Sequence, residues 1–338
     1  MTNERPSHRP PPPRLRAAAR LPALALAACA LAPALAAAQA GAPPPTAPAS
    51  PVPSAPVALA GTLAKVHASG TIALGHRKAS LPFSYLSAAG EPVGYSVELC
   101  RSLVDAIAQA IQRPLAIRWV PVSAADRFDA VADGRVDLEC GSTTVNLERR
   151  QRVAFSPVVF VSGTRLLVRR GAPVASFRDL AGRAVAVAAG TTNERAMQSL
   201  SEQFRLGLRL APAPDYAEAF AQVAEGRAAA LAADEVLLQG LVAQQQQHVG
   251  AAGRGADYAV VGDTLSYEPY AFMYRRDDPQ LARVVEDGFR AMARDGEIDR
   301  QYRRWFLGPL PASGVNLRLP MNPQLRAAID MLAAGRPQ

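Results

Sequence analysis

Cysteine is scarce in this chain, with three residues in 338, too few for a disulfide scaffold. Histidine is nearly as scarce: four residues argue against a multi-zinc protein built on imidazole ligands. Catalytic signatures are missing too. There is no H-E-x-x-H, no Walker lysine loop and no G-x-S-x-G, so zinc peptidase, P-loop and α/β-hydrolase chemistry have no starting point. Aromatics make up only 6% of the chain, and no basic stripe is interleaved with them, which disfavours single-strand nucleic-acid binding. Beyond residue 40 no segment reaches about 18 continuous apolar residues, the length a spanning helix needs. What is present is ample core material, 49% apolar against 20% charged. That balance excludes wholesale disorder, and the length suits two or three domains at about 100–200 residues each.

The formal charge of +8 needs to be located before it is interpreted. Arg5, Arg9, Arg14, Arg16 and Arg20 face a single acid, Glu4, and an Ala/Leu-rich stretch follows from Leu21 to Ala38. A basic segment, an apolar segment and the small-residue triplet Ala38-Gln39-Ala40 have the order of a secretory signal, so residues 1–40 are expected to be a signal peptide cleaved after Ala40. Leu26-Ala27-Ala28-Cys29 offers the alternative of a lipobox, with Cys29 lipidated. Removal of residues 1–40 takes five arginines and one glutamate, so the mature chain falls to +4 and keeps no general basic surface. Residues 41–61 are rich in Pro and Ala and read as an extended linker.

From Thr62 onward short β-type runs alternate with helical patterns: Thr71–Gly75, then Val97–Ile111 with Leu99, Leu103 and Ile107 on one face, then Leu115–Val120. Alternation of this kind predicts an α/β fold with largely parallel sheets. A near-repeat adds to it. Phe128-Asp-Ala-Val131-Ala132-Asp133-Gly134-Arg135 echoes Phe220-Ala-Gln-Val223-Ala224-Glu225-Gly226-Arg227, each a helix ending on glycine before an apolar strand. The echo is either chance or the mark of two lobes built on one plan. Another strand-to-helix joint, Ala184–Ala189 into Gly190-Thr191-Thr192-Asn193-Glu194, is either an anion seat of free amides or an ordinary capping box.

The segment Glu139-Cys140-Gly141-Ser142-Thr143-Thr144-Val145-Asn146-Leu147-Glu148-Arg149, closing on Phe155-Ser156-Pro157, resembles the signature of family 3 of the bacterial solute-binding proteins, the periplasmic receptors of polar amino-acid ABC transporters. Gly75-His76-Arg77, Pro82-Phe83-Ser84-Tyr85, Gly94-Tyr95-Ser96, Val161–Leu167 and Gly190-Thr191-Thr192 are similar to the glutamate/aspartate-binding branch, in order and spacing, over about 62–319. This resemblance implies a two-lobed periplasmic binding protein fold of type II, with two hinge strands and the ligand in the interlobe cleft. The first lobe is then expected over 62–160 and 265–338, the second over 161–264, with hinge crossings near Val159–Ser162 and Val261–Leu265. It also implies no catalysis and no cofactor, a monomer, an inner-membrane ABC permease as partner, and no nucleic acid. The alternative on the same fold is a periplasmic cyclohexadienyl (prephenate/arogenate) dehydratase, for which Glu139 or Glu235 would supply the catalytic acid.

The resemblance assigns the site residue by residue. Arg149 matches the arginine that grips the ligand's α-carboxylate, a planar group that a guanidinium fork holds better than an ammonium. Thr144 matches the threonine donating to the same group, with Thr191 and Thr192 approaching from the other lobe. Asp234 matches the acid that takes the α-ammonium, helped by the Gly141 carbonyl and the Ser142 hydroxyl. Arg77 and Arg127 stand where the dicarboxylate branch has arginines and binders of neutral amides do not. Three cations and one acid would make the site net positive, to meet the net negative glutamate or aspartate. Tyr216 departs from the branch, which has a histidine there: the phenol either donates one neutral hydrogen bond or turns into packing. Cys100 and Cys140, the two cysteines left after export, are either a disulfide or buried thiols.

Overall fold

A computed structural model describes residues 58–248, 257–311 and 314–335. The expected signal peptide, Cys29 and all of the Pro/Ala linker before residue 58 lie outside the described residues.

The fold is α/β, built on two five-stranded sheets of the same plan. In the first the order is Ala116–Pro121, Thr71–His76, Leu138–Glu139, Met273–Arg275, Val153–Phe155; in the second it is Arg209–Ala213, Ala184–Ala188, Ala230–Asp234, Thr164–Arg169, Tyr258–Val261. The first three strands of each are parallel. The fourth runs antiparallel to both its neighbours. The sheets are therefore mixed rather than largely parallel, because the fourth strand is the one by which the chain enters from the other lobe and so runs against the crossover strands. These strands are three and six residues long, and direction is not encoded in so short an apolar run.

The near-repeat falls on equivalent elements. Helix Arg127–Ala132 delivers Leu138–Glu139 to the centre of the first sheet, and helix Tyr216–Ala224 delivers Ala230–Asp234 to the centre of the second. Between helix and strand stand Gly134 at φ 72° and Gly226 at φ 77°, in the left-handed region that glycine enters without a Cβ penalty. Each central strand ends on an acid turned into the interior, Glu139 or Asp234.

Between the sheets a two-stranded antiparallel pair joins Phe160–Ser162 to Glu268–Tyr270. The first crossing lies where the sequence suggests; the second is carried by Glu268–Tyr270, a few residues beyond Val261–Leu265, since Val261 still belongs to the second sheet. The few aromatic residues concentrate here. Phe83 lies 4.9 Å from Phe160 and 5.1 Å from Tyr270, ring centre to ring centre, and Phe160 stacks on Phe306 at 4.8 Å. Edge-to-face and offset pairs of this kind add about 0.5–1.5 kcal/mol each beyond their buried area, so the scarce rings stiffen the crossing. The chain end reinforces it: helix Pro323–Ala334 starts at Asn322, whose amide donates to the Val161 carbonyl at 3.3 Å.

Helix Tyr95–Ala110 covers the first sheet with Leu99, Cys100, Leu103 and Ile107 inward. Cys100 is disulfide-bonded to Cys140, with Cα atoms 6.1 Å apart, so this helix is tied to the end of the central strand just before Gly141 and Ser142.

Candidate functional site

Three guanidinium groups enter one buried region. Arg77 follows the strand Thr71–His76, its backbone N–H fixed on Ser84 Oγ at 2.9 Å. Arg127 opens helix Arg127–Ala132. Arg149 sits in the single turn Leu147–Arg150, which Asn146 caps by accepting the Arg149 N–H at 2.8 Å. Their exposures are 2%, 2% and 5%, an expensive state for cations that lack an anion. The Phe128 ring lies under two of them, 5.3 Å from the Arg127 guanidinium carbon and 5.0 Å from that of Arg149. Burial first, then the neighbouring charges of Arg77 and Arg149, pull Arg127 down to about 9. Burial also lowers Arg149.

Several polar atoms in this wall have no partner among the described residues: Arg77 Nη1, Arg127 Nε, Ser142 Oγ and Glu139 Oε1. Unsatisfied buried polar groups of this kind cost about 1–3 kcal/mol each, and they sit together, which is the mark of a seat shaped for something else. Arg127 Nη1 reaches Glu139 only through Thr143, whose hydroxyl accepts from the guanidinium at 2.7 Å and donates to Glu139 Oε2 at 2.7 Å. The Gly141 carbonyl accepts from Ser96 Oγ at 2.8 Å, leaving one lone pair toward the interior.

The opposite wall comes from the second lobe. Thr191 is the N-cap of helix Thr192–Gln203: its hydroxyl accepts the Glu194 N–H and donates to the Ala188 carbonyl at 2.7 Å, while Glu194 reaches back to the Gly190 N–H at 2.8 Å. Its side chain is thus spent on the cap. Thr192 turns instead toward the first lobe, with Oγ1 3.4 Å from Thr144 Oγ1 and 2.6 Å from Glu268 Oε2. Arg149 spans the same seam, donating to the Thr144 carbonyl at 2.8 Å and to the Gly190 carbonyl at 3.4 Å. Gly190 is bound to be glycine on two counts: its φ is 75°, and a Cβ would lie 2.9 Å from Ala125 Cα of the first lobe.

Asp234 ends the central strand of the second sheet and is 2% exposed. It accepts from Asn193 Nδ2 at 2.7 Å and from the Tyr270 hydroxyl. Burial first, then the charge of Glu268, raises its carboxyl to about 7. Tyr216, the first residue of its helix, is buried with its ring in the apolar core. Its hydroxyl feels Asp234, Arg77, Arg127 and Glu268, and burial above all lifts it to about 12, so it stays a neutral donor.

All ten residues named from the sequence therefore lie along one seam, with Thr191 acting through the cap. Two acids alter the charge count. Glu139 and Glu268, 0% and 3% exposed, join Asp234 against the three arginines, so that with all three acids ionised the formal charges balance. Glu139 stood in the sequence only as the catalytic candidate of the dehydratase alternative. Its companion there, Glu235, lies half-buried in an ion pair with Arg165 at 2.7 Å. Glu268 carried one signal, an acid two residues before an inward tyrosine in a short extended run, and its meaning depends on a crossing that the sequence does not locate. Among the described residues no cluster of His, Cys, Asp and Glu could hold a metal ion.

A family model, "Bacterial extracellular solute-binding proteins, family 3", matches residues 72–308. An L-glutamate/L-aspartate-binding protein of Pseudomonas aeruginosa is 39% identical over 281 residues, 82% of this chain and 91% of the relative. A glutamate/aspartate import solute-binding protein of Escherichia coli is 34% identical over 271 residues, 80% of this chain and 87% of the relative. Among solved structures, the ancestral amino acid-binding protein AncCDT-1, a precursor of cyclohexadienyl dehydratase, superposes with a TM-score of 0.61 at 27% identity over 72% of this chain and 99% of that one.

Proposed function

Because the chain belongs to the bacterial extracellular solute-binding proteins, family 3, we propose that it is the binding component of an ABC importer for glutamate or aspartate. It meets the acidic amino acid in the periplasm as a monomer, closes on it, and delivers it to an inner-membrane permease. The observation that carries this reading is the group of three buried arginines, two of which hold an unpartnered nitrogen, Arg77 Nη1 and Arg127 Nε. A dicarboxylate supplies the missing acceptors.

Arg149 grips the α-carboxylate with Thr144 and the Thr192 amide at the helix start, where free N–H groups and the helix dipole favour an anion. Asp234 takes the α-ammonium, with the Ser142 hydroxyl and the spare lone pair of the Gly141 carbonyl. Arg77 and Arg127 hold the side-chain carboxylate, and the Tyr216 hydroxyl adds a neutral bond. Since these groups come from both lobes, ligand contacts exist in full only in the closed form, and the ligand stabilises that form by the difference. Export through the basic and apolar segment at residues 1–40 agrees with a periplasmic role.

Thermal melting with added ligands tests the reading. A ligand at about 100 times its dissociation constant stabilises the folded state by about 2.7 kcal/mol. Glutamate and aspartate are expected to raise the melting temperature by several degrees, glutamine at the same concentration by less, histidine and prephenate by none, and prephenate incubated with the protein is recovered unchanged. A rise with histidine or prephenate alone, or turnover of prephenate, would replace the reading.

A further inference from the structure

Glu268 is a buried acid that the assignment above leaves without a task. It opens the hinge strand Glu268–Tyr270, and its two oxygens accept from neutral groups, Ser266 Oγ and Thr192 Oγ1, both at 2.6 Å. Neither Glu268 nor Asp234 takes part in an ion pair among the described residues. The two carboxylates belong to one ring made of hydrogen bonds and the Glu268–Tyr270 strand backbone. Tyr270, two residues from Glu268 and so on the same face of an extended strand, donates to Asp234. From Asp234 the ring continues through Asn193 Nδ2 to Thr164 Oγ1 at 2.7 Å, then to Ser266 Oγ at 2.7 Å, and back to Glu268.

Each carboxylate offers about four lone-pair directions, and each has two occupied. The remaining acceptors are buried and call for a cation with several donors. Across the seam the Ser142 hydroxyl, buried and unpartnered, faces the same need.

We propose that Glu268 is a second carboxylate of the ammonium seat: the ligand's α-ammonium lies between Asp234 and Glu268, and the site thereby refuses dicarboxylates without an amino group. This rests on the amino-acid-receptor reading. No ligand bond is broken: the ammonium N–H donors fill the open acceptors, and a proton held by Asp234 leaves to solvent. A deaminated diacid such as glutarate brings no cation, so Glu268 would stay without a counter-ion beside two further carboxylates.

The pH dependence follows from the groups around Asp234. Glu268 on the hinge strand raises its affinity for a proton, while Tyr270, Asn193 and Arg149 lower it, and burial dominates. Tyr216, facing from its own helix, stays neutral. With Asp234 near 7, affinity for glutamate rises as pH goes from 5 to 8 and then levels, because below that range the ammonium competes with a bound proton.

The test is calorimetric titration of the wild-type chain with glutamate at pH 6.5 in two buffers of different ionisation enthalpy, followed by the same titrations and one with glutarate on Glu268→Gln. Wild type is expected to release roughly 0.5–1 proton per glutamate and to show no heat with glutarate. The isosteric amide keeps the ring's shape and is expected to weaken glutamate about tenfold or more, reduce the proton release, and narrow the gap between glutamate and glutarate. Glutarate binding as tightly as glutamate in wild type, or unchanged affinity and unchanged discrimination in the variant, would overturn the proposal while leaving the receptor reading in place. If the variant does not fold, the wild-type comparison of glutamate with glutarate decides alone. A wild-type chain that binds no amino acid would remove the receptor reading and this proposal with it. Binding of a neutral amino acid would remove only the acidic ligand, and the same comparison against its deaminated counterpart then decides on Glu268.

Discussion

At the scale of residues, the site is a division of labour among cations that look alike in the sequence. Arg149 meets the part common to all amino acids, so Arg149→Ala is expected to abolish measurable binding of every amino acid tested by equilibrium titration. Arg77 and Arg127 meet only an acidic side chain. Each charge-assisted bond is worth roughly 1.5–3 kcal/mol, about 10- to 150-fold, and Arg77→Ala or Arg127→Ala should lose that much for glutamate and little for glutamine. Equal losses for both ligands from all three variants would contradict the division. Asp234 also makes the empty protein pH-sensitive. Its carboxyl is raised to about 7 by burial and by Glu268, so the folded chain binds this proton more tightly than the unfolded chain. The stability is complete at pH below the usual carboxylate value and falls as pH rises toward about 7. Asp234→Asn should flatten that part of the melting temperature against pH profile. A profile unchanged by the substitution would mean that Asp234 is ionised throughout.

At the scale of elements, two glycines shape the seam. Gly190 needs its positive φ, whereas Gly240 lies within the second-lobe helix Glu235–His248 and has no such need. A Cβ there would come 2.5 Å from the Leu81 carbonyl of the first lobe. In a helix interior alanine is better than glycine by about 1 kcal/mol, so Gly240→Ala should leave the ligand-free protein as stable or more so. It should also hinder closure and weaken glutamate by about tenfold, read by melting and titration on one sample. A lower ligand-free melting temperature with unchanged affinity would instead make the Gly240–Leu81 contact a fixed part of the fold. Elements were readable from the sequence where their cause is local. The strand Thr71–His76, the helix Tyr95–Ala110 and the two glycine-ended helices follow from apolar spacing and C-capping. The fourth strands of both sheets are not local in this sense, being short runs whose direction is set by where the chain returns from the other lobe.

At the scale of the whole molecule, the chain is two copies of one plan joined by an aromatic-packed crossing, and the site exists because each copy ends its central strand on a buried acid. The near-repeat made the plan visible, and the motif from Glu139 to Arg149 made one wall visible through its family resemblance. Glu268 was hardly visible, since it acquires meaning only where Thr192, distant in sequence, meets it across the seam. Together with Glu139 it removes the formal positive excess of the three arginines, so the preference for an acidic ligand rests on the unpartnered N–H groups and not on net charge. Calorimetric titration of the purified wild-type protein with glutamate and with glutamine, side by side, tests this most directly. Glutamate, or aspartate in its place, should bind at micromolar or tighter affinity, about −8 kcal/mol or below, with glutamine at least tenfold weaker. Glutamine binding as tightly as glutamate would contradict the assignment of Arg77 and Arg127 to a side-chain carboxylate.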